Sequence, residues 1–133
     1  MTARPFLMFQ DGNAQAASDL YFATFPDSPM VRAERYAQGE PGPTDTIKVA
    51  IFTLCGNEFM CSDSPVKHDF SFTPASSTFV EFDSVSDLER VFGILSEGGQ
   101  VLMPLDNYGF RERFGWVNDR FGVSWQLIKG VSV

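Results

Sequence analysis

The residues of this chain that can do chemistry are few and widely spaced. His68 is the only imidazole, and Cys55 and Cys61 are the only thiols. A hydrolytic triad needs a histidine to relay the proton of a serine or cysteine. His68 alone would have to serve, and no serine lies in an elbow-type motif. It falls in "SPVKHDFSFTPASS", where a solvated loop histidine is the plain reading. The two cysteines bracket a turn, nothing else in the chain completes a thiolate metal site with them, and both read as reduced, buried thiols. Paired carboxylates remain. Glu58 and Asp63 flank one apolar run and Glu81 and Asp83 another, and period-two alternation puts Glu81 and Asp83 on one face with Ser77 and Phe79. On a cavity-lining face Glu81 would be a half-buried acid with a shifted pKa; the alternative has Asp83 capping the next helix and Glu81 at a rim. No catalytic residue is assigned.

Binding chemistry is better supplied. The chain holds 14 Phe, 2 Trp and 3 Tyr among 133 residues, so some aromatic surface is available beyond the core. Tyr108, Phe110, Phe114 and Trp116 belong to a glycine-punctuated segment, "DNYGFRERFGW", with Arg111 and Arg113 between them. Segments of this kind carry function more often than cores do, and aromatics with an arginine suit a flat or anionic small molecule. The alternative is that the same aromatics seal a subunit interface.

These residues must be held by elements, and the periodicity defines them. "PFLMFQ" is a strand, and "DGNAQAASDLYFATF" a helix capped by Asp11 or Asn13 and ended at Phe25-Pro26. "MVRAERYA" is a strand, and "IKVAIFTL" and "EFMCSD" form a hairpin across "CGN". After residues 64–76, read as a linker, the order restarts. "TFVEFD" is a strand, "SVSDLERVFGILSEGG" a helix capped by Ser84 or Ser86 and stopped by Gly98-Gly99, and "QVLMPL", "RFGWVND" and "VSWQLIKG" are three strands. Two βαβββ modules result, residues 5–63 and 77–130, within one domain of 1–133. If Gln126 faces a cavity, Trp125 is out of phase with it and packs under a helix.

Bulk properties bound the partners. The net charge of −7, with basic residues scattered along the chain, argues against nucleic acid and anionic membranes. No apolar run reads as a signal peptide or a membrane span, so a cytoplasmic protein is expected.

"LMFQDGNAQAASDLYFATF", "GNEFMCSD", "FVEFDSVSDLERVFGILSEGGQVLMPL" and "YGFRERFGWVNDRFGVSWQL" together resemble the PhnB-like branch of the vicinal oxygen chelate superfamily, also called glyoxalase/bleomycin resistance/dioxygenase-like. The resemblance covers nearly the whole chain. It implies an α+β fold of two βαβββ modules whose curled sheets form an open cup, usually in a homodimer. Enzymes of the superfamily place a divalent metal in the cup on four strand positions. Here these correspond to Phe6, Cys61 (Met60 if the register slips by one), Ser77 and Gln126. A phenyl ring, a hydroxyl and an amide are poor ligands for such an ion, so no metal and no cofactor are expected. Relatives are also labelled demethylubiquinone methyltransferase-like, but the glycines here sit in hairpins and at a helix end. S-adenosylmethionine is normally held by a Gly-rich turn between a parallel strand and a helix.

The resulting expectation is a metal-free homodimer that binds a small organic molecule through Met8, Cys61, Ser77, Phe79, Tyr108, Arg113, Trp116 and Gln126. An acidic chain with an aromatic cup also fits an amphipathic cation. Two alternatives stand beside it: a metalloenzyme, or an enzyme using Glu81 or Cys61, and a structural module whose cup is filled by Phe6, Met8, Met60 and Phe79.

Overall fold

A computed structural model describes residues 1–109 and 112–130. The chain divides into two units, Met1–Phe70 and Ser71–Val133, and each builds one four-stranded sheet with one helix.

In the first unit the elements are β1 (Phe6–Phe9), α1 (Ala14–Thr24), β2 (Met30–Arg35), β3 (Ile47–Leu54) and β4 (Asn57–Asp63), in sheet order β1-β4-β3-β2. β1 lies parallel to β4, and the other pairs are antiparallel. The helix buries Ala14, Ala17, Ser18 and Tyr21, a stripe of mostly small residues that lets it lie close to the sheet. Tyr21 and Phe22 meet Phe52 of β3, which stacks on Phe59 of β4 at 5.5 Å. The β3–β4 turn is two residues long, with Cys55 and Gly56 both at positive φ (49° and 86°), the geometry of a type I′ hairpin.

The start of α1 is held from a distance. Asn13 occupies the N-cap position, but its side chain makes no capping hydrogen bond. The acceptor is the buried carboxylate of Asp63, 49 residues away, whose Oδ1 takes the Ala14 N–H at 2.9 Å. Its Oδ2 takes the Ile47 N–H at 2.8 Å, so one side chain ties the helix to the start of β3. Neither of the local caps read from the sequence, Asp11 or Asn13, does this work.

The second unit repeats the plan with β5 (Thr78–Phe82), α2 (Val85–Ser96), β6 (Gln100–Asp106), β7 (Arg113–Asn118) and β8 (Ser124–Lys129), in sheet order β5-β8-β7-β6. β5 and β8 are the parallel pair, as β1 and β4 are in the first unit. Ser84 caps α2, its hydroxyl accepting the Asp87 N–H at 3.2 Å, so neither Ser86 nor Asp83 is the cap. Gly115 of β7 lies under this helix. A Cβ there would come within 2.6 Å of the Phe92 ring and 2.9 Å of Leu105, so only glycine admits the helix at this distance.

Gly115 also fixes which face is which. It pairs with Leu127, so Val117, Trp125 and Leu127 share the helix side, and all three are buried. The alternate residues, Phe114, Trp116, Asn118, Ser124, Gln126 and Ile128, point to the face without a helix. Trp125 is therefore packed on the helix side as its phase with Gln126 requires, with its indole N–H donated to Asp119 Oδ2 at 3.0 Å.

Asp63→Ala leaves two buried N–H groups without an acceptor. It is expected to destabilise the protein by about 2–4 kcal/mol. Asp63→Asn, which keeps one oxygen, should lose roughly half of that. Urea unfolding at constant m-value measures both, and an unchanged midpoint for Asp63→Ala would show that α1 does not depend on this cap.

Candidate functional site

The helix-free face of the second sheet carries its side chains in transverse rows set by the strand register. One row runs Phe79 (β5), Gln126 (β8), Trp116 (β7) and Met103 (β6). The next runs Ser124 (β8), Asn118 (β7) and Gln100 (β6), with Ser77 beside Ser124. An aromatic and thioether row thus abuts a polar one. Phe79 is 48% exposed, and Trp116 and Gln126 are half-buried, so the first row is accessible.

The indole of Trp116 is fixed by a hydrogen-bond chain. Its Nε1–H donates to Ser124 Oγ at 2.8 Å, Ser124 and Ser77 hydroxyls meet at 3.0 Å, and Ser77 donates to the Pro74 carbonyl at 3.3 Å. The ring face of Trp116 is left for contact, while its N–H is used internally. Tyr108 is similarly committed: its hydroxyl donates to the Pro104 carbonyl at 2.6 Å, and its ring meets Phe114 edge-on at 6.0 Å. Phe114 is buried, whereas Tyr108 is half-buried.

Of the expected binding residues, Ser77, Phe79, Tyr108, Trp116 and Gln126 belong to this one face. Arg113 does not. The strand begins at Arg113, its partner is Lys129, and its guanidinium is turned to the helix side, where Nη2 meets Glu89 of α2 at 3.1 Å. The expectation that Arg113 joins the aromatics in binding a ligand is corrected on that ground, and the case for an anionic ligand loses Arg113. Phe110 and Arg111 lie outside the described residues. Glu81 is exposed on the helix-free face and Asp83 is exposed beyond β5.

In the first unit Met8 shares the helix-free face with Phe6, Met60 and Ser62, since Phe6 pairs with Met60 and Met8 with Ser62. Cys61 is on the opposite side, fully buried, with its Sγ 4.0 Å from Ser18 Oγ of α1. The structure thus removes Cys61 from the open face and puts Met60 there, the one-residue slip noted from the sequence. Burial pushes the Cys61 thiol up to about 11, with the contact to Ser18 opposing and the charge of Asp63 reinforcing the shift. Cys55 is exposed at the hairpin tip, not buried as its residue type led one to expect, and its thiol is also raised by partial desolvation.

Of the four positions that the resemblance assigns to a divalent ion, Phe6 lies opposite Met60, not Cys61, on the first sheet, while on the second Gln126 lies opposite Phe79 and Ser77 is engaged by Ser124. A phenyl ring, a thioether, a hydroxyl and an amide do not fit such an ion. Among the described residues no cluster of three or more His, Cys, Asp or Glu converges elsewhere. His68 stacks on Phe70 at 4.8 Å and its Nε2 lies 3.2 Å from Ser64 Oγ, an exposed arrangement in which the serine hydroxyl is turned to the Val66 carbonyl. A depression of about 450 Å³ beside Asp63 is lined by Gln10, Thr46, Ser64 and the Asp11–Lys67 ion pair. Sequence reasoning missed Asn118 and Ser124. Each lies two residues from a residue that was singled out, so strand alternation alone would have found them.

Comparison with known proteins gives a consistent picture. The family model described as 3-demethylubiquinone-9 3-methyltransferase matches residues 2–128. The solved PhnB protein from Bacillus cereus is 44% identical, with a TM-score of 0.94 over 98% of this chain and 100% of that one. Protein YjdN of Escherichia coli (strain K12) is 25% identical over 114 residues, 86% of this chain and 77% of its own length. A glyoxylase/bleomycin resistance protein/dioxygenase domain from Frankia sp. EAN1pec shares the fold at a TM-score of 0.65 and 14% identity, covering 98% of each chain.

The two thiols should separate cleanly under alkylation. At pH 8 Cys55 is expected to react with iodoacetamide, and Cys61, buried and with its thiolate disfavoured, to react only after denaturation. Peptide mass mapping reads this directly. Faster labelling of Cys61 than of Cys55 in the folded protein would reopen a nucleophilic role for it.

Proposed function

Since this chain belongs to the family described as 3-demethylubiquinone-9 3-methyltransferase, the PhnB-like branch of the glyoxalase/bleomycin resistance/dioxygenase-like superfamily, we propose that it is a metal-free binder of a small planar organic molecule, acting as a homodimer. The observation that carries this reading is the row Phe79–Gln126–Trp116–Met103. It presents aromatic and thioether surface on a sheet face that its own helix leaves uncovered, with the indole locked by Ser124. A pre-oriented aromatic contact loses little conformational freedom when a flat ligand lands on it.

Methyl transfer, which the family description names, finds no support in this architecture. Each sheet contains a single parallel pair and is flanked by one helix, unlike the doubly wound sheet whose Gly-rich strand–helix turn cradles a nucleotide-like cofactor. Fold likeness alone does not carry an activity across so varied a superfamily. The homodimer rests on the family resemblance. Among the described residues no helix is long and apolar enough to cross a membrane.

A thermal-shift screen of aromatic and small-metabolite compounds, run with and without a chelator, tests the proposal. An organic ligand at a hundredfold excess over its Kd should stabilise the protein by about 2.7 kcal/mol whether or not chelator is present. Trp116→Ala should weaken that ligand by roughly tenfold or more, and Arg113→Ala should leave its affinity unchanged. Stabilisation by a divalent metal that chelator abolishes, or loss of binding in Arg113→Ala with none in Trp116→Ala, would overturn it.

A further inference from the structure

Besides exposed Gln100, the helix-free face of the second sheet holds two carboxamides flanking Trp116, Asn118 and Gln126, with hydrogen-bonding capacity left unused among the described residues. Asn118 Oδ1 is buried and has no hydrogen-bond partner, a condition shared among the described residues only by Arg113 Nε, which lies on the helix side. The Gln126 side chain is half-buried, and no hydrogen bond is formed by it among the described residues. Folded chains ordinarily pair nearly every buried polar atom, so an acceptor left over on a face that also carries accessible aromatic surface has a natural use in taking a donor from a ligand.

The placement of the two groups is specific. Trp116 lies two residues from Asn118 on β7 and directly opposite Gln126 on β8. Asn118 and Gln126 are therefore diagonal neighbours, roughly 7 Å apart at their Cα atoms, with the indole between them. The hydroxyls that might have satisfied Asn118 are taken, because Ser124, its register partner, is held between Trp116 Nε1 and Ser77. A ring stacked on Trp116 would present one edge to both Asn118 and Gln126.

We infer that Asn118 and Gln126 form a carboxamide clamp for a neutral planar ligand bearing adjacent N–H and C=O groups, a cyclic amide or ureide, stacked on Trp116. Asn118 Oδ1 takes the ligand N–H. Gln126, able to present either end of its amide, supplies the complementary donor to the ligand carbonyl, so that the two side chains together match the donor–acceptor edge. Neither group is charged, so the clamp favours neither an anion nor a cation. This inference rests on the reading of the face as a binding site, and goes further by naming the ligand class and the residues that choose it.

Titration of the ¹⁵N-labelled protein with 2-quinolone, N-methyl-2-quinolone and quinoline, followed at the Trp116 indole and the Asn118 and Gln126 side-chain amides, tests it. Expected is that 2-quinolone shifts all three signals and binds tightest, with affinity about tenfold weaker after N-methylation or in Asn118→Ala. Gln126→Met, which keeps the bulk of the side chain, should weaken 2-quinolone but leave quinoline unchanged, and it serves as the variant if Asn118→Ala does not fold. If the probes shift Trp116 but bind equally well, or are indifferent to both substitutions, the clamp is wrong and the binding face stands. If none of the three shifts Trp116, both readings fall.

Discussion

Each four-stranded sheet of this protein has one helix to cover it, and that shortage organises everything else. A strand turns alternate side chains to opposite faces, so half of β5, β7 and β8 goes under α2 and the other half has no covering from its own unit. The helix side is packed to the limit. Gly115 is there because the Phe92 ring occupies the place of a side chain, and Trp125 is there because Asp119 satisfies its indole N–H. The helix-free side carries the aromatic row and, flanking Trp116, the carboxamides of Asn118 and Gln126.

The same shortage explains where the acids went. Asp63 and Asp119 are the buried carboxylates, and both are consumed by structure: Asp63 by the N–H groups of Ala14 and Ile47, Asp119 by those of Phe121, Val123 and the Trp125 indole. A carboxylate saturated by N–H donors is held as an acceptor and is a poor proton shuttle. Glu58, which shared a strand with Asp63 in the search for paired acids, is exposed and bound to Arg4 at 2.7 Å. What chemistry remains on the helix-free face of the second sheet, beyond exposed Glu81 and the exposed Asp106 at the end of β6, is neutral, and neutral groups recognise shape and hydrogen-bond pattern.

The order and type of the elements were legible because hydrophobic period is a local signal, and so were the turn at Cys55-Gly56 and the stop at Gly98. What failed was phase or distance. A shift of one residue exchanges the faces of a strand, so Cys61 and Met60 could not be told apart until pairing with Phe6 set the register. Arg113 was misread because it was grouped with the aromatics of its segment; three residues before Trp116 on β7, it takes the opposite face, and its guanidinium turns to Glu89. The cap on α1 was illegible for a different reason. Its acceptor is 49 residues away in sequence and no local pattern announces it. Asn118 needed only the alternation already applied to Trp125 and Gln126, extended from Trp116 along β7.

The two units share one topology, down to the single parallel pair between first and last strands, yet their helix-free faces have diverged. Phe6, Met8 and Met60 face out of the first sheet, while Gln126, Trp116 and Asn118 face out of the second. Backbone pairing and the packing of one helix constrain the element order and the helix side of each strand, because an error there leaves N–H groups unpaired or rings overlapping. No such penalty attaches to the other face. A duplicated fold of this kind can therefore keep its architecture while one copy turns flexible thioethers and a phenyl ring outward and the other acquires directional amides beside a locked indole. Hydrogen-bonding groups discriminate between ligands far more sharply than apolar ones do. The selectivity of the proposed binding face is for that reason to be sought on the second sheet.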